Sequence, residues 1–298
     1  MRSSGTGRIA LDIGGTKFAA ARVADDGTLV GVETTPTPKV GVWDACAALL
    51  IKVAGTEPVD RVGIGSAGPI DTVAGTTGPL NIAEWRNNFG IVAAVQGLFP
   101  TAEITFAIDG GCAALAEYRY GAARGVPNLL GMVVSTGIGG GIVLDGQIVR
   151  GRTGNAGHVG HIVVNNEDPC ACGGVGCIEA VASGPSTVRW AQAQGWAGTT
   201  GIELSKAAAA GDPIGTAALE RSGTALGQAI SSAAALLDVD LVVVGGGFAQ
   251  SGPLLWDPLQ ESLRRHAGLS FIKELRVVPA ELGGLGTLTG AGALTLDS

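Results

Sequence analysis

Residues 11–30, LDIGGTKFAAARVADDGTLV, indicate the end of an apolar strand, a glycine turn, a second strand and an Asp-Gly turn. The same order recurs at residues 134–149, VSTGIGGGIVLDGQIV. The distance along the chain between these two segments is too long for a solenoid repeat and indicates two similar lobes instead. We therefore expect an α/β protein with two lobes, each offering a glycine hairpin to a shared cleft.

Strand and helix patterns alternate along the rest of the chain. Strands are expected at 8–13, 17–24, 28–33, 61–66, 103–109, 129–135, 142–144, 147–149, 239–244 and 275–278, and helices at 42–54, 112–119, 185–194, 203–210, 212–237, 253–266 and 287–296. A boundary near residue 115 gives a small N-terminal lobe, 1–115, and a large lobe, 116–286, which holds a cysteine-rich loop. The closing helix, about 287–298, is expected to pack on the small lobe.

Composition restricts the class of protein. The chain has 298 residues, of which 46% are hydrophobic and 15% charged, so it can bury a large core. A net charge of −7 disfavours a broad surface for nucleic acid or anionic membranes. Residues 1–12 contain neither the apolar segment of a signal peptide nor room for a helix-turn-helix domain, and no long apolar run predicts a membrane span. We expect a soluble cytoplasmic protein.

Three glycine-rich turns follow predicted strands. The first, Asp12 to Lys17, places Gly14, Gly15 and Thr16 where backbone N–H groups could approach phosphate oxygens, and Asp12 could hold Mg²⁺ through water. An ordinary Gly-Gly turn is the alternative for this motif taken alone. Thr136 and Gly137 lie in a matching turn, and two such turns together favour nucleotide binding. Gly246 and Gly247 follow a third strand and could admit an adenine or ribose.

One glycine motif is misleading. Gly63, Gly65 and Gly68 match a dinucleotide-binding fingerprint, but that fingerprint needs a helix opening at the third glycine, and residues 69–78 have no helical pattern. The chain also lacks a P-loop sequence. We interpret residues 65–71 as a strand-turn-strand loop that could line a substrate pocket.

Asp109 follows the predicted strand EITFAI and precedes an alanine-rich helix. Phosphoryl transfer requires a carboxylate that accepts the proton of the acceptor hydroxyl. Asp also favours the N-cap of a helix, which is the alternative role for this residue. The glycine turns favour the catalytic base.

The cysteine-rich loop predicts a structural zinc site. His161, Cys170, Cys172 and Cys177 supply one nitrogen and three sulfur ligands, which is a standard set for tetrahedral zinc. Thiols packed in the core and a disulfide are the alternatives. Glycines between the cysteines favour a tight loop around an ion.

These motifs together resemble the ROK family of bacterial sugar kinases and repressors, over nearly the whole chain. The matching segments are DIGGTK at 12–17, GSAGPID at 65–71, LN at 80–81, Asp109 with AE at 116–117, STGIGGG at 135–141, AGHVGH at 156–161, CACGGVGCIE at 170–179 and VVVGGG at 242–247.

The resemblance implies the two-lobed actin-like ATPase fold shared with hexokinases, with ATP and Mg²⁺ as the phosphoryl donor. It also implies transfer to the 6-hydroxyl of a hexose, with Asp109 as the base, and a homodimer. In the family pattern the histidine matching His161 binds zinc and faces the sugar, and the acid matching Glu179 binds sugar hydroxyls. We assign sugar binding to Gly68, Asn81, Asp109, His158, His161 and Glu179.

Two positions depart from the family pattern. Ile108 replaces an Asn that contacts the sugar, and His158 replaces a Glu near the anomeric end. His158 is similar to the residue in bacterial N-acetylmannosamine kinases, so that activity is the leading hypothesis and glucokinase the second. A sugar-sensing ROK regulator and a sugar-binding pseudoenzyme are the alternatives from other classes.

Overall fold

The fold is described from a computed structural model, which covers residues 7–296 of the chain. The described residues form two compact units. Unit 1 contains the residues up to Arg124, Gly141–Gly157 and those from Gly284 onward; unit 2 contains Gly125–Gly140 and His158–Gly283.

The elements are numbered in chain order. The strands are β1 (Arg8–Ile13), β2 (Lys17–Val23), β3 (Leu29–Pro36), β4 (Arg61–Ser66), β5 (Ile70–Asp71), β6 (Thr76–Thr77), β7 (Glu103–Ile108), β8 (Leu129–Val134), β9 (Ile138–Leu144), β10 (Gln147–Ile148), β11 (Leu241–Gly245) and β12 (Arg276–Pro279). The α-helices are α1 (Val42–Ala54), α2 (Ile91–Leu98), α3 (Asp109–Tyr120), α4 (Ile178–Ala182), α5 (Gly184–Ala193), α6 (Gly201–Ala209), α7 (Pro213–Leu237), α8 (Pro253–His266) and α9 (Gly286–Ala293).

Unit 1 is built on a mixed sheet with the strand order β3-β2-β1-β4-β7. β1, β4 and β7 are parallel, whereas β2 and β3 are antiparallel additions on one side. β1 and β4 are largely buried because they lie inside the sheet, whereas β7 at its edge is buried only in its second half. Their carboxyl ends lie at one edge of the sheet, where ligands bind in open α/β sheets.

Unit 2 contains a parallel arrangement in the order β8-β11-β12. β8 and β11 have the apolar sequences LLGMVV and LVVVG, as expected for strands buried on both faces. The long helix α7 begins with Pro213 after Asp212, whose side chain accepts a hydrogen bond from the backbone N–H of Gly215 at 2.7 Å. α7 packs against α8.

α9 packs against α3, β1 and β4 within unit 1. Its sequence, GTLTGAGA, is rich in small residues, which allows the helix backbone to approach its neighbours closely. A Cβ on Gly290 would lie 1.8 Å from the carbonyl oxygen of Cys112, so only glycine fits there. A Cβ on Gly63 of β4 would lie equally close to the carbonyl oxygen of Ala291 in α9.

The Gly63→Ala substitution is expected to lower the free energy of unfolding by about 1–3 kcal/mol, because a backbone carbonyl cannot yield as a side chain can. A Cβ at Gly63 would lie 1.8 Å from the Ala291 oxygen. Gly97→Ala in α2 is the matched control, since a Cβ there meets no atom within 4 Å. It is expected to raise stability by up to about 1 kcal/mol through helix propensity. Urea unfolding measures both, and equal midpoints for the two variants would contradict this account of α9 packing.

The predicted α/β class is confirmed, and most predicted elements lie within two residues of the observed ones. α2 and α4 had no counterpart in the prediction. The predicted lobe boundary near residue 115 falls inside the unbroken helix α3, whereas the compact units divide after Arg124. The boundary near residue 115 stays a proposal. Within residues 7–296, no helix is both long enough and apolar enough to cross a lipid bilayer.

Candidate functional site

Two carboxylates lie at the carboxyl edge of the sheet in unit 1. Asp12 is near the end of β1, and Asp109 directly follows β7 as the first residue of α3. Asp12 is in register with Gly65 of β4, and Gly65 with Ala107 of β7. The central strand β4 thus presents a glycine between the two acidic residues. A Cβ at Gly65 would lie 3.1 Å from the Cys112 sulfur, which leaves little room for a larger residue.

Burial makes both carboxylates unusually basic, and repulsion from Asp109 adds to this effect at Asp12. Burial, followed by the negative charge of Asp109, raises the pKa of Asp12 to about 7, and the opposing charge of Lys17 is a smaller effect. Burial raises the pKa of Asp109 to about 6, against the effect of a hydrogen bond from the Gly110 N–H at 2.7 Å. A proton acceptor with a pKa near neutrality is suited to general base catalysis.

Asp109 does not act as the N-cap of α3. The N-cap position belongs to Ile108, and no side-chain capping hydrogen bond forms there. The predicted helix start at residue 112 is also wrong, because α3 begins at Asp109. The alternative role of Asp109 as a helix N-cap, which its sequence position suggested, is therefore wrong.

The first glycine turn forms a short, well-bonded loop between β1 and β2. The Gly14 N–H donates to the Lys17 carbonyl at 3.1 Å, and the Gly14 carbonyl accepts from the Thr37 hydroxyl at 2.9 Å. Thr16 and Lys17 are exposed. An exposed cation beside glycine N–H groups is suited to an anionic ligand such as phosphate.

Asn81 lies against this turn. A Cβ at Gly15 would be 2.8 Å from the Cβ of Asn81, so the turn and the LN segment touch. The structure therefore brings together Asn81, Gly15 and, one residue further along, Thr16. Sequence alone had linked them only through the family resemblance.

Gly68 lies in the loop between β4 and β5, as predicted for residues 65–71. At one end of this loop, the hydroxyl groups of Ser66 and Thr77 are 2.8 Å apart. At the other end, Asn155 accepts from the Ile70 N–H at 2.9 Å and donates to the Ile70 carbonyl at 2.6 Å. Asn155 was not predicted, because its partner lies 85 positions away in the chain.

In unit 2 the second glycine turn lies beside Glu179. The Ser135 N–H donates to the Gly137 carbonyl at 2.9 Å, which closes the turn around Thr136. The Oε2 atom of Glu179 accepts from the Ile138 N–H at 2.8 Å. A Cβ at Gly137 would be 2.6 Å from that oxygen, so a larger residue would displace the Glu179 carboxylate from its present position.

The third glycine segment meets the same turn. Gly246 has a φ of 98°, and a Cβ there would lie 2.3 Å from the carbonyl oxygen of Val134. A Cβ at Gly247 would be 3.9 Å from the hydroxyl oxygen of Ser135. Residues 135–137, Gly246 and Gly247 thus form one backbone-lined surface within unit 2.

The four predicted metal ligands converge. The ligand atoms of His161, Cys170, Cys172 and Cys177 all lie within 4.8 Å of one another. The sulfur atoms of Cys172 and Cys177 are 3.7 Å apart, close to the roughly 3.8 Å between two sulfurs that each lie about 2.3 Å from one tetrahedral zinc ion. A disulfide requires about 2.05 Å, and all five cysteines are free thiols in the structure. The donor set and its geometry fit zinc.

Glycines shape this loop as expected. Gly176 has a φ of 77°, and a Cβ there would lie 1.7 Å from the carbonyl oxygen of Asn165. The Gly174 N–H donates to the Cys172 sulfur at 3.4 Å and lowers the pKa of that thiol. Thiolate is the form that binds a metal.

The two departures from the family pattern occupy different environments. His158 is exposed on the turn before the short 3₁₀ helix Val159–His161, and its ring centroid is 6.0 Å from that of His161. Partial burial, followed by the charge of His161, lowers the pKa of His158, whereas Glu179 opposes that effect. Ile108 is 4% exposed and belongs to the hydrophobic core of unit 1.

The predicted site residues therefore fall into two groups. Unit 1 holds Asp12, Gly14, Gly15, Thr16, Lys17, Gly68, Asn81 and Asp109; unit 2 holds Thr136, Gly137, His158, His161, Cys170, Cys172, Cys177, Glu179, Gly246 and Gly247.

The two α/β units form the two-lobed actin-like ATPase fold, which the solved ROK sugar kinases share. The model of the ROK family matches residues 8–298, and the chain belongs to that family.

Relatives with assigned activities cover most of the chain. A glucokinase from Streptomyces coelicolor is 31% identical, with 97% of each chain covered. An N-acetylmannosamine kinase from Yersinia pseudotuberculosis is 35% identical, with 80% of this chain and 82% of the relative covered. A kanosamine kinase from Amycolatopsis mediterranei is 33% identical, with 96% of this chain and 95% of the relative covered.

Solved structures share the fold. A ROK glucokinase from Streptomyces griseus, determined in complex with glucose and AMPPNP, is 32% identical with a TM-score of 0.81, covering 97% of this chain and 98% of that one. A ROK transcriptional regulator, described as a homologue of the Escherichia coli MLC protein, is 22% identical with a TM-score of 0.85, covering 97% of this chain and 78% of its own.

Proposed function

We propose that this protein is an ATP-dependent sugar kinase that phosphorylates the 6-hydroxyl of a hexose or N-acylhexosamine. The observation that carries the proposal is the pair Asp12 and Asp109 at one sheet edge, beside the glycine turn at residues 14–17. One carboxylate can serve the metal and the other the acceptor hydroxyl. Membership of the family supports the same reaction class.

Asp109 is the proposed general base. Its carboxylate accepts the proton of the 6-hydroxyl while that oxygen bonds to the terminal phosphorus of ATP. The bond from that phosphorus to the bridging oxygen breaks, and ADP leaves with its electron pair. A positioned base of this kind contributes about 10²–10⁴-fold in rate.

Asp12 is the proposed partner of Mg²⁺, and the residues present fit that ion. Two half-buried carboxylates repel each other in unit 1, so a dication offsets their charge. When bound, Mg²⁺ neutralises charge that develops on the phosphates. The proposed nucleotide-binding residues of unit 1 are Gly14, Gly15, Thr16 and Lys17, and those of unit 2 are Thr136, Gly137, Gly246 and Gly247.

Zinc is proposed as a structural ion on His161, Cys170, Cys172 and Cys177. Such a set closes the coordination sphere, so the ion orders the loop rather than reacting. Glu179 is the second residue of α4, the helix that directly follows Cys177. An ordered loop therefore holds His161 and Glu179 in place for sugar hydroxyls. The other proposed sugar-binding residues are His158 in unit 2, and Gly68 and Asn81 in unit 1.

N-acetylmannosamine is the proposed acceptor, with glucose as the second candidate. His158 supports the first, because an imidazole can donate a hydrogen bond to a carbonyl where a carboxylate only accepts. The side chain of Ile108 packs in the core and makes no hydrogen bond to the sugar. One sugar hydroxyl therefore takes its hydrogen bond from other residues.

An ADP-release assay tests this proposal with ATP, Mg²⁺ and separate sugars: N-acetylmannosamine, N-acetylglucosamine, glucose, mannose, fructose and kanosamine. We expect the highest kcat/KM with N-acetylmannosamine. A higher value with glucose would favour the glucokinase alternative. Release of ADP that no sugar accelerates would favour a pseudoenzyme or a sugar-sensing regulator.

We also propose that the protein is a homodimer. Sedimentation velocity measures its oligomeric state.

The pH profile is expected to show an acidic limb near pH 6. Burial raises the pKa of Asp109 to about 6, so the carboxylate is protonated below that pH and cannot accept the sugar proton. kcat/KM should therefore fall about tenfold per pH unit below the limb and level off above it. A profile that stays flat from pH 7 down to pH 5 would exclude Asp109 as the titrating base.

His158→Glu is expected to shift sugar preference toward glucose. The carboxylate cannot donate to an acetamido oxygen, and an unpaired polar group costs about 1–3 kcal/mol. The ratio of kcat/KM for N-acetylmannosamine to that for glucose should fall by about 5-fold to 100-fold. His158→Gln, which keeps a donor, is the matched control and should retain more of the ratio. An unchanged ratio in His158→Glu would contradict a role in sugar choice.

A further inference from the structure

The metal-binding loop, residues 161–177, is shaped by hydrogen bonds to Asp168. The Gly176 N–H donates to the Asp168 carbonyl at 2.7 Å, directly before the ligand Cys177. The side chain of Asn165 donates to the Oδ2 atom of Asp168 at 2.6 Å. Asp168 therefore organises the loop from within, although it is not one of the four ligands.

Arg221 on α7 reaches this loop from outside. One guanidinium nitrogen donates to the Oδ2 atom of Asp168 at 2.6 Å, and another donates to the carbonyl oxygen of Val181 at 2.9 Å. Val181 lies two residues after Glu179 on α4. The guanidinium carbon is 5.6 Å from the centroid of the Trp190 ring on α5.

The environment favours a strong interaction at this position. The side chains of Arg221 and Asp168 are 23% and 29% exposed, so solvent screens the pair less than it screens a surface ion pair. Charge-assisted hydrogen bonds are about twice as strong as neutral ones. A guanidinium donates in two directions while stacking on an aromatic ring, which an ammonium group cannot reproduce.

We propose that Arg221 is a positioning residue for the metal-binding loop and for Glu179. One side chain fixes Asp168, beside the ligands Cys170 and Cys177, relative to the helix that carries Glu179. The proposal rests on the zinc site of the proposed function. Partners outside the ligand set that orient metal ligands typically change metal affinity by about 10–100-fold when they are mutated.

Zinc transfer from the purified holoprotein to a chromogenic chelator tests this role. Arg221→Ala is expected to release zinc about 10–100-fold faster than the wild type. Arg221→Lys keeps the charge but loses one hydrogen bond and the stacking, so an intermediate rate is expected. Asp168→Asn should also accelerate release. The double variant Arg221→Ala/Asp168→Asn should release zinc at a rate close to that of the faster single variant and well below the product of the two separate effects, because the residues act as one unit.

Arg264→Ala is the matched control, since Arg264 is exposed on α8 of the same unit. It should release zinc at the wild-type rate. Because Arg221→Ala could unfold unit 2, the urea unfolding midpoint is measured for each variant. If the alanine variant does not fold, the zinc-release rate of Arg221→Lys tests the role of Arg221. The KM for the sugar should rise in Arg221→Lys more than kcat falls, since Glu179 binds substrate.

The outcomes separate the two proposals. A wild-type protein that contains zinc, together with folded Arg221 variants that release it at the wild-type rate, would overturn the role of Arg221 and leave the zinc site standing. A wild-type protein without zinc would overturn both. Faster release in Arg221→Lys with unchanged urea midpoints supports the proposal.

Discussion

Asp109→Asn is expected to reduce kcat by at least about 10²-fold, and up to about 10⁴-fold, without loss of folding. The amide has nearly the same size as the carboxylate but cannot accept the proton of the sugar hydroxyl. Because burial already raises the pKa of Asp109 to about 6, the native fold carries a cost for the charged form. The neutral amide removes that cost, so stability near pH 8 should be equal or higher.

The sign of this stability effect follows from linkage. A carboxylate whose folded pKa is raised favours the folded state below its unfolded pKa of 3.8 and loses that contribution as the pH rises through about 6. Asp109→Asn should therefore differ most from the wild type above pH 6. Asp44→Asn on α1 is the control, since Asp44 is exposed and distant in sequence from every proposed site residue. Activity of Asp109→Asn within fivefold of the wild type would refute the assignment of the base.

Cys177→Ser is expected to abolish stoichiometric zinc binding. Cys177 is buried and completes the four-ligand cluster, so the substitution leaves three ligands and a hydroxyl of poor affinity for zinc. Metal binding contributes directly to the folding of the segment it closes. The loop should lose order, the thermal midpoint should fall, and the KM for the sugar should rise by more than tenfold because His161 and Glu179 lose their positions.

Cys46→Ala is the matched control for this experiment. Cys46 is an equally buried thiol in the core of unit 1, remote from the cluster in sequence. It should keep about one zinc ion per chain, measured by elemental analysis, with a normal KM. A Cys177→Ser protein that retains one zinc ion per chain, or a freshly purified wild type without zinc, would contradict the site.

The strand-end residues were the part of the site that sequence could predict. Asp12 and Asp109 each follow a short apolar run, and the carboxyl ends of parallel strands meet at one edge of a sheet. The metal ligands were predictable because they are local, within residues 161–177 of the chain. In both cases the pattern that revealed the residue lies within a few positions of it.

The residues that sequence missed have distant partners. Asn155 bonds to Ile70 across 85 positions, and Arg221 bonds to Asp168 across 53. Single residues of this kind carry no periodic pattern, so only the fold reveals them. α2 was missed because its eight residues, IVAAVQGL, are apolar on nearly every side, and periodicity cannot separate a short apolar helix from a buried strand.

Ile108 shows a different limit. Its sequence position suggested a lost polar contact with the substrate, and the structure places its side chain in the hydrophobic core of unit 1 instead. The substitution therefore adds core packing directly before Asp109. The choice of acceptor sugar therefore depends on polar groups other than residue 108. Among them, His158 is exposed and differs from the family pattern.

The most direct test of the central claim is a ³¹P NMR spectrum of the reaction with ATP, Mg²⁺ and N-acetylmannosamine. With the wild type, we predict a phosphomonoester signal split by two methylene protons, which places the phosphate on the 6-hydroxyl, and stoichiometric ADP. With Asp109→Asn, the signal should be absent over the same period. A wild-type protein that is folded and contains zinc, yet forms no phosphomonoester with any sugar of the panel, would contradict the account.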